Sequence, residues 1–240
     1  MTSFLPRWRE DSPVREAAWI ARCVGDPTTT PLTEGDLSAL ASYLQPLEFE
    51  RGAPVFRGGE RPEGVWIVRS GMIELSTGGG RRKIVVQMLY PGSVDGDIQL
   101  ILSMALPYSA RALETSRCLF LTSEAFEALL SEHPAVARRW LSSVAARVSR
   151  GQERLMGLLG RSLVEQTTRL LLDEQHDGRV PLPQRTLAAM LGVQRPSLNK
   201  ILKDLEKKGL IVLGYGRIEI TDAKGLESLA RWQGTSAQNL

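Results

Sequence analysis

An α+β protein in two parts is what this sequence of 240 residues predicts, on three observations. Short β-type runs punctuated by glycine fill the stretch from Leu47 to Thr122. A long helical pattern with a heptad seam begins after His133-Pro134. Two short helical patterns around Gly192-Val193 then lead into a strand-turn-strand pattern. The length suits two domains, and 42% hydrophobic content suffices for a core in each.

The N-terminal residues include an amphipathic piece around Val14 to Val24, followed by Asp26-Pro27-Thr28-Thr29-Thr30-Pro31, a loop composition. Thr33 with Asp36 caps a short helix through Leu44. Val65 to Val68, a turn at Ser70-Gly71, and Met72 to Leu75 read as a hairpin, and Ile84 to Leu89 and Ala110 to Leu121 supply further strands. Short strands at this spacing suggest an antiparallel barrel or sandwich. Ser123 to Ser131 returns to helix.

In the long helix Ala137, Leu141, Val144, Val148, Gly151, Leu155 and Leu158 step by 4, 3, 4, 3, 4 and 3 residues. Two copies of the chain would pair along that seam into a homodimer. Val136, Trp140 and Met156 mark a second apolar face that can dock on the chain's own strands. Gly157 and Gly160 weaken the helix just before the C-terminal part and suggest a hinge.

From Leu182 to Leu213 the chain reads as a winged helix-turn-helix. Leu187, Met190 and Leu191 form one apolar stripe; after the Gly192-Val193 break, Leu198, Ile201, Leu202 and Leu205 form another. The second helix then shows Arg195, Ser197, Asn199, Lys200 and Lys203 on its outer face, with Pro196 in a first turn where its missing N–H costs nothing. Ile211 to Leu213 and Arg217 to Ile220 flank Gly214-Tyr215-Gly216 as a wing. Such a helix fits the DNA major groove. An ordinary small α+β unit contains similar elements, but charge placement argues for DNA. Residues 161 to 240 carry 12 Lys and Arg against 9 Asp and Glu, whereas residues 1 to 160 carry 18 of each. A positive excess concentrated on one face is what phosphate contacts require.

Other classes find little support. No run of eighteen apolar residues and no signal-peptide pattern occurs, so a cytoplasmic protein away from membranes is expected. Cys23 and Cys118 are too few and too far apart for a zinc motif or disulfide framework, and read as buried small residues. A search for Gly-x-Ser-x-Gly, a P-loop or a metal-spaced His pair finds none; the chain has two histidines, His133 and His176. Asp95 and Asp97 alternate around Gly96 without an evident partner acid and read as capping or turn residues. Neither an enzyme nor a metal site is expected.

Strands, a dimerising helix, a glycine hinge and a winged helix, in that order, resemble the Crp/Fnr family of bacterial transcription regulators over roughly residues 32 to 232. Gly192-Val193-Gln194-Arg195-Pro196-Ser197-Leu198-Asn199-Lys200-Ile201-Leu202 is similar to the family's recognition helix. The resemblance implies that Arg195 reads a guanine edge, that Ser197 and Lys200 contact bases or backbone, that Gln194 and Asn199 lie close to the duplex, and that Arg185 contacts a phosphate. Pro196 stands where many members carry a base-reading Glu, which alters the expected half-site.

Pro91 to Ile98, continuing through Tyr108-Ser109-Ala110, resembles the family's phosphate-binding cassette. In cyclic-nucleotide members a Gly-Glu pair leads into a helical turn that holds phosphate, the Glu takes the ribose hydroxyl, and an Arg-Ser-Ala follows. Here the pair is Gly96-Asp97 and Tyr108 replaces the Arg, while Ser109 and Ala110 match. Arg111, three residues from Tyr108 along a strand, should point away from the pocket. The adenine-facing Thr-Ser pair is Gly151-Gln152, although an Arg one turn earlier is retained as Arg147. Arg147, Arg150 and Arg154 could attract an anion, but with Glu153 they read more readily as a solvated flank. Loss of a charge-assisted guanidinium–phosphate contact costs on the order of 1.5 to 3 kcal/mol.

The resemblance thus implies an N-terminal extension (1–31), a cyclic-nucleotide-binding-like antiparallel β-roll (32–133), a dimerisation helix and hinge (134–160), a winged helix-turn-helix (161–234) and a tail (235–240). The seam residues are Leu141, Val144, Val148, Leu155 and Leu158. The expected function is a homodimeric regulator that binds a roughly palindromic double-stranded DNA site, with RNA polymerase as a further partner and weak affinity for cAMP. The alternatives are a cAMP-dependent regulator with an unusual pocket, and an enzyme subunit gated by a cyclic-nucleotide-like domain.

Overall fold

The computed structural model describes residues 12–26, 28–79, 83–158, 161–214 and 216–230, and of 154 and 156–158 the backbone alone. The expected tail, Gly160 of the hinge, Tyr215 and the side chains of Leu158, Arg154 and Met156 lie outside the described residues. Contacts divide the chain into two units, 1–77 with 86–149 and 78–85 with 150–240.

Eight short strands, all within the first unit except the first two residues of β5, make its framework: β1 Gln45–Phe49, β2 Pro54–Phe56, β3 Gly64–Ser70, β4 Ile73–Thr77, β5 Ile84–Leu89, β6 Val94–Asp95, β7 Ser109–Ala112 and β8 Ser116–Thr122. They form two four-stranded sheets in the orders β1-β8-β3-β6 and β2-β7-β4-β5. The expected hairpin from Val65 to Leu75 does not form, because β3 pairs with β8 and β6 in one sheet while β4 lies between β7 and β5 in the other. Gly71, at φ 86°, carries the chain between the layers, and a Cβ there would stand 2.3 Å from the Ser116 hydroxyl. Turn residues show where a strand ends, not which neighbour it takes.

β3 is buried on both faces, which explains its unbroken apolar run. Trp66 and Val68 join Phe56, Ile73, Leu75, Cys118 and Phe120 in one cluster. Val65 and Ile67 join Leu119 and Leu121 in a second, completed by helices. Those helices are α1 Pro13–Cys23, α2 Glu34–Tyr43, α4 Ser123–Glu132 and the first turns of α5 Pro134–Leu158; the short α3 Asp97–Ile101 follows β6. Thr33 and Asp36 form the expected capping box on α2.

Within the expected N-terminal extension, α1 belongs to this core. Ala17, Ile20 and Val24 are buried with Leu40, Phe126 and Trp140. Glu16, itself buried, pairs with Arg69 at 2.6 Å and with Arg117 at 3.1 Å. At the other end of α1, Arg139 of α5 donates to the carbonyls of Ala21 and Val24. These ties join α1 to strands and helix more than forty residues away, so amphipathicity alone shows the helix but not its seat.

The second unit holds α6 Leu163–Asp173, β9 Arg179–Val180, α7 Gln184–Met190, α8 Arg195–Lys207, β10 Ile211–Gly214, β11 Arg217–Ile220 and α9 Ala223–Ala230. Ser162 and Glu165 cap α6 reciprocally. The three strands form a sheet in the order β10-β11-β9, and Leu171, Leu187, Leu198, Leu202, Ile218 and Leu226 pack the core.

Candidate nucleic-acid interface and effector site

Helices α7 and α8 make the predicted pair. Gly192, at φ 66°, turns the chain between them, and the N–H of Val193 donates to the carbonyl of Ala188 at 3.0 Å. Helix α8 buries Leu198, Leu202 and Leu205. That packing fixes its rotation and leaves Gln194, Arg195, Ser197 and Lys200 exposed, with Asn199 half-buried. No side chain caps the α8 N-terminus and no acid occupies its first turn. The positive end of the helix dipole therefore lies beside Arg195 with no acid to neutralise it, an arrangement suited to anionic phosphate. Arg185 is exposed in α7, whose first turn also lacks an acid. In the sheet, β10 and β11 present the wing, with Gly214 opposite Arg217. Arg217 is exposed and lies 3.3 Å from Glu219.

The cassette is assembled at the end of β6. Gly96 adopts φ 88° at the start of α3, and a Cβ there would stand 2.6 Å from the carbonyl of Gly64 and 2.8 Å from the Trp66 ring, so glycine is required on two grounds. Asp97, expected as a turn residue or ribose acceptor, is completely buried. It accepts the indole N–H of Trp140 at 2.7 Å and both terminal nitrogens of Arg147. The same guanidinium donates to the carbonyl of Val94 at 2.8 Å. The solvated flank expected for Arg147 is therefore corrected, because a buried carboxylate demands a charged, hydrogen-bonded partner.

Asp95 takes a different partner. Its carboxylate accepts the N–H of Gly96 at 2.7 Å, as a turn residue should, and also the hydroxyl of Tyr108, 3.1 Å from Oδ2. Burial pushes the Asp95 carboxyl up to about 6, opposed by the Tyr108 and Gly96 bonds and by Arg147, while Asp97 adds to the rise. Burial and the facing Asp95 carboxylate likewise raise Tyr108. At the position where the resemblance expects a guanidinium, Tyr108 thus donates to an acid of the protein itself.

Ser109 is exposed and its hydroxyl accepts the N–H of Gly58 at 2.9 Å, while Ala110 is buried. Arg111, expected to point elsewhere, donates to the carbonyl of Gly52 at 2.7 Å. The roll therefore brings Gly96, Asp97, Tyr108 and Arg147 together. Gly151 and Gln152 are exposed on α5, and open space surrounds the place a Gly151 Cβ would take. Sequence reading missed Trp140 as the Asp97 donor. A tryptophan on a face otherwise read as apolar was the available sign, since its indole N–H needs a partner when buried.

Along the seam, Leu141, Val148 and Leu155 are 69%, 49% and 57% exposed. Val144 is half-buried against the roll's core. On the adjoining face Val136 and Trp140 are buried, as the second apolar stripe predicts. Among the described residues no helix is long and apolar enough to cross a membrane, and no group of three metal-ligating side chains is present.

Residues 46–133 match the family model of the cyclic nucleotide-binding domain, and residues 154–229 match that of the Crp-like helix-turn-helix domain. The chain is 58% identical over 221 residues to an HTH-type transcriptional regulator, Cmr, from Mycobacterium tuberculosis, covering 92% of this chain and 91% of that one. It is 28% identical to a cyclic AMP receptor protein from Thermus thermophilus, covering 86% and 97% of the two chains. A crystal structure of a CRP/FNR-family transcriptional regulator from Thermus thermophilus superposes with a TM-score of 0.67 at 21% identity, over 79% of this chain and all of that one, and bears on the fold alone. Both domains in their order, and that 58% identity across nine-tenths of both chains, establish that this chain belongs to the Crp/Fnr family of transcriptional regulators.

Proposed function

We propose that the chain acts as a cytoplasmic homodimer that reads a roughly palindromic double-stranded DNA site through the N-terminal turn of α8, and that its nucleotide-like domain holds cAMP weakly. The observation that carries the DNA reading is the α8 surface: Arg195, Ser197 and Lys200 are exposed on a helix whose opposite face is locked by buried leucines. Arg195 supplies a bidentate guanine contact, Arg185 and Lys200 position the duplex through phosphates, and Gln194 and Asn199 lie beside the bases. The apolar seam on α5 supports pairing of two copies, which in turn implies half-sites about one helical turn apart. RNA polymerase follows as a partner from the family's role in transcription.

Weak cAMP binding is supported by the cassette, where Tyr108 replaces a guanidinium and Asp97 is engaged by Trp140 and Arg147. The name of the Thermus relative favours cyclic nucleotides as the effector class, and a cAMP-dependent regulator with an unusual pocket is the competing reading. An enzyme subunit gated by the nucleotide-like domain is disfavoured by the helix-turn-helix match over residues 154–229.

Selection of duplexes from a randomised pool tests the DNA reading. Wild-type protein should enrich a two-fold site, and Arg195→Ala should weaken binding to it by about 1 to 3 kcal/mol and relax preference at one base pair in each half-site. A uniform loss across all sequences would show that Arg195 touches phosphate alone.

A further inference from the structure

Glu206 stands where a helix ordinarily disfavours an acid. It lies in the last turn of α8, at the negative end of the helix dipole, where cations are favoured and the neighbouring Lys207 follows the rule. Its Oε1 accepts the backbone N–H of Leu213, seven residues on, at 2.8 Å. That N–H sits on a sheet edge. β10 is the outer strand of its sheet and pairs on one side, with β11, in the register Leu213↔Ile218 and Gly214↔Arg217. Alternate N–H groups along such a strand point out of the ladder and need another partner. Other bonds close the base of the wing. The Leu210 carbonyl takes the N–H groups of Thr221 and Asp222 at 3.0 and 3.2 Å, and the Thr221 hydroxyl donates to the Gly209 carbonyl at 2.7 Å. The Glu206 bond reaches further, to the residue before Gly214.

Resting on the reading of α8 as the DNA-reading helix, we infer that Glu206 is a positioning residue: its carboxylate fixes the tilt of the wing on α8. That tilt sets the separation between Arg195, which meets a base, and Arg217, which meets the DNA backbone. Arg217 begins β11 with its side chain 59% exposed and shares Glu219 with Arg179. Its guanidinium can exchange that surface carboxylate for a phosphate oxygen, because an exposed pair of this kind is held weakly. Without the Glu206 bond the wing pivots on its base, and Arg217 loses its register with the phosphate while Arg195 keeps its own.

The test uses the full chain and a duplex selected by wild-type protein from a randomised pool, with affinity measured from about 50 to 200 mM KCl. Glu206→Ala should weaken specific binding about 5- to 10-fold and lower the salt slope by about one phosphate contact per subunit. Arg217→Ala should do the same, and the double variant should be no weaker than either single, since the two act on one contact. Glu206→Gln keeps an acceptor for the Leu213 N–H and should restore the slope. A wild-type slope in Glu206→Ala, with only a lowered melting temperature, would overturn the assignment, as would additive losses in the double variant. Arg195→Ala serves as the separate arm, losing base preference with the slope unchanged. Failure of wild-type protein to form any sequence-specific complex would overturn the DNA reading itself, whereas a specific complex with additive losses overturns the role of Glu206 alone.

Discussion

Asp95 and Asp97 stand two positions apart, and their environments divide them. Asp97 is met by a guanidinium and an indole N–H. Asp95 is buried against a neutral phenol and one backbone N–H, and its carboxyl is pushed up to about 6 from an ordinary value of 3.8. A carboxyl raised on folding binds its proton more tightly in the folded state. Its contribution to stability is therefore full below about pH 4 and is lost as pH rises through about 6. Asp95→Asn removes this titration while keeping an acceptor for the Tyr108 hydroxyl. Its melting temperature should vary less than that of wild type between about pH 4 and 6, and at pH 7 it should be more stable by ~1 to 3 kcal/mol. A variant that parallels wild type throughout that range would show that the buried carboxylate carries no such penalty.

At the scale of elements, α5 serves two surfaces. Val136 and Trp140 are buried in the first unit, while Leu141, Val148 and Leu155 present an exposed stripe at heptad spacing. Val148→Asp would place like charges opposite each other in a paired seam, so it should convert a dimer into monomers with helix content retained. Sedimentation at micromolar concentration and circular dichroism check both parts, and a monomeric wild type would remove the premise. This helix was legible because its pattern is local and repeats along one chain. The helix-turn-helix was legible for the same reason, with Gly192 and Pro196 marking its corner. The Ser162…Glu165 box announces α6 in the same local language, yet α6 is absent from the elements predicted above. The two-residue β9 is too short to show any period. Pairing was harder: nothing within Val65 to Leu75 tells that β3 and β4 separate into different sheets. The partners of Asp97 are 43 and 50 positions away, so the cassette motif could be read but its internal bonding could not.

For the whole molecule the question is what holds α5 on the roll. Arg139 donates to the carbonyls of Ala21 and Val24 in and after α1, Trp140 donates to Asp97 at the start of α3, and Arg147 binds Asp97 and the Val94 carbonyl. These bonds seat the helix on the roll with the protein's own groups. A ligand can shift a conformational equilibrium only by its differential affinity for the two states, and here Asp97 and the terminal nitrogens of Arg147 are already engaged by the protein's own groups. Specific DNA binding should therefore have the same affinity with and without about 1 mM cAMP. Calorimetry should give a cAMP affinity no tighter than about tens of micromolar, the sum of losing the guanidinium at 108 and the hydroxyl at 151. Tyr108→Arg returns one of these contacts and should tighten cAMP binding, although the neighbouring Asp95 competes for the new guanidinium; adding Asp95→Asn should enlarge the gain. Submicromolar cAMP binding by wild type would sink this reading of the pocket. No gain in either variant would mean that the turn after Gly96 no longer accepts a phosphate, and that the effector of this regulator belongs to another chemical class.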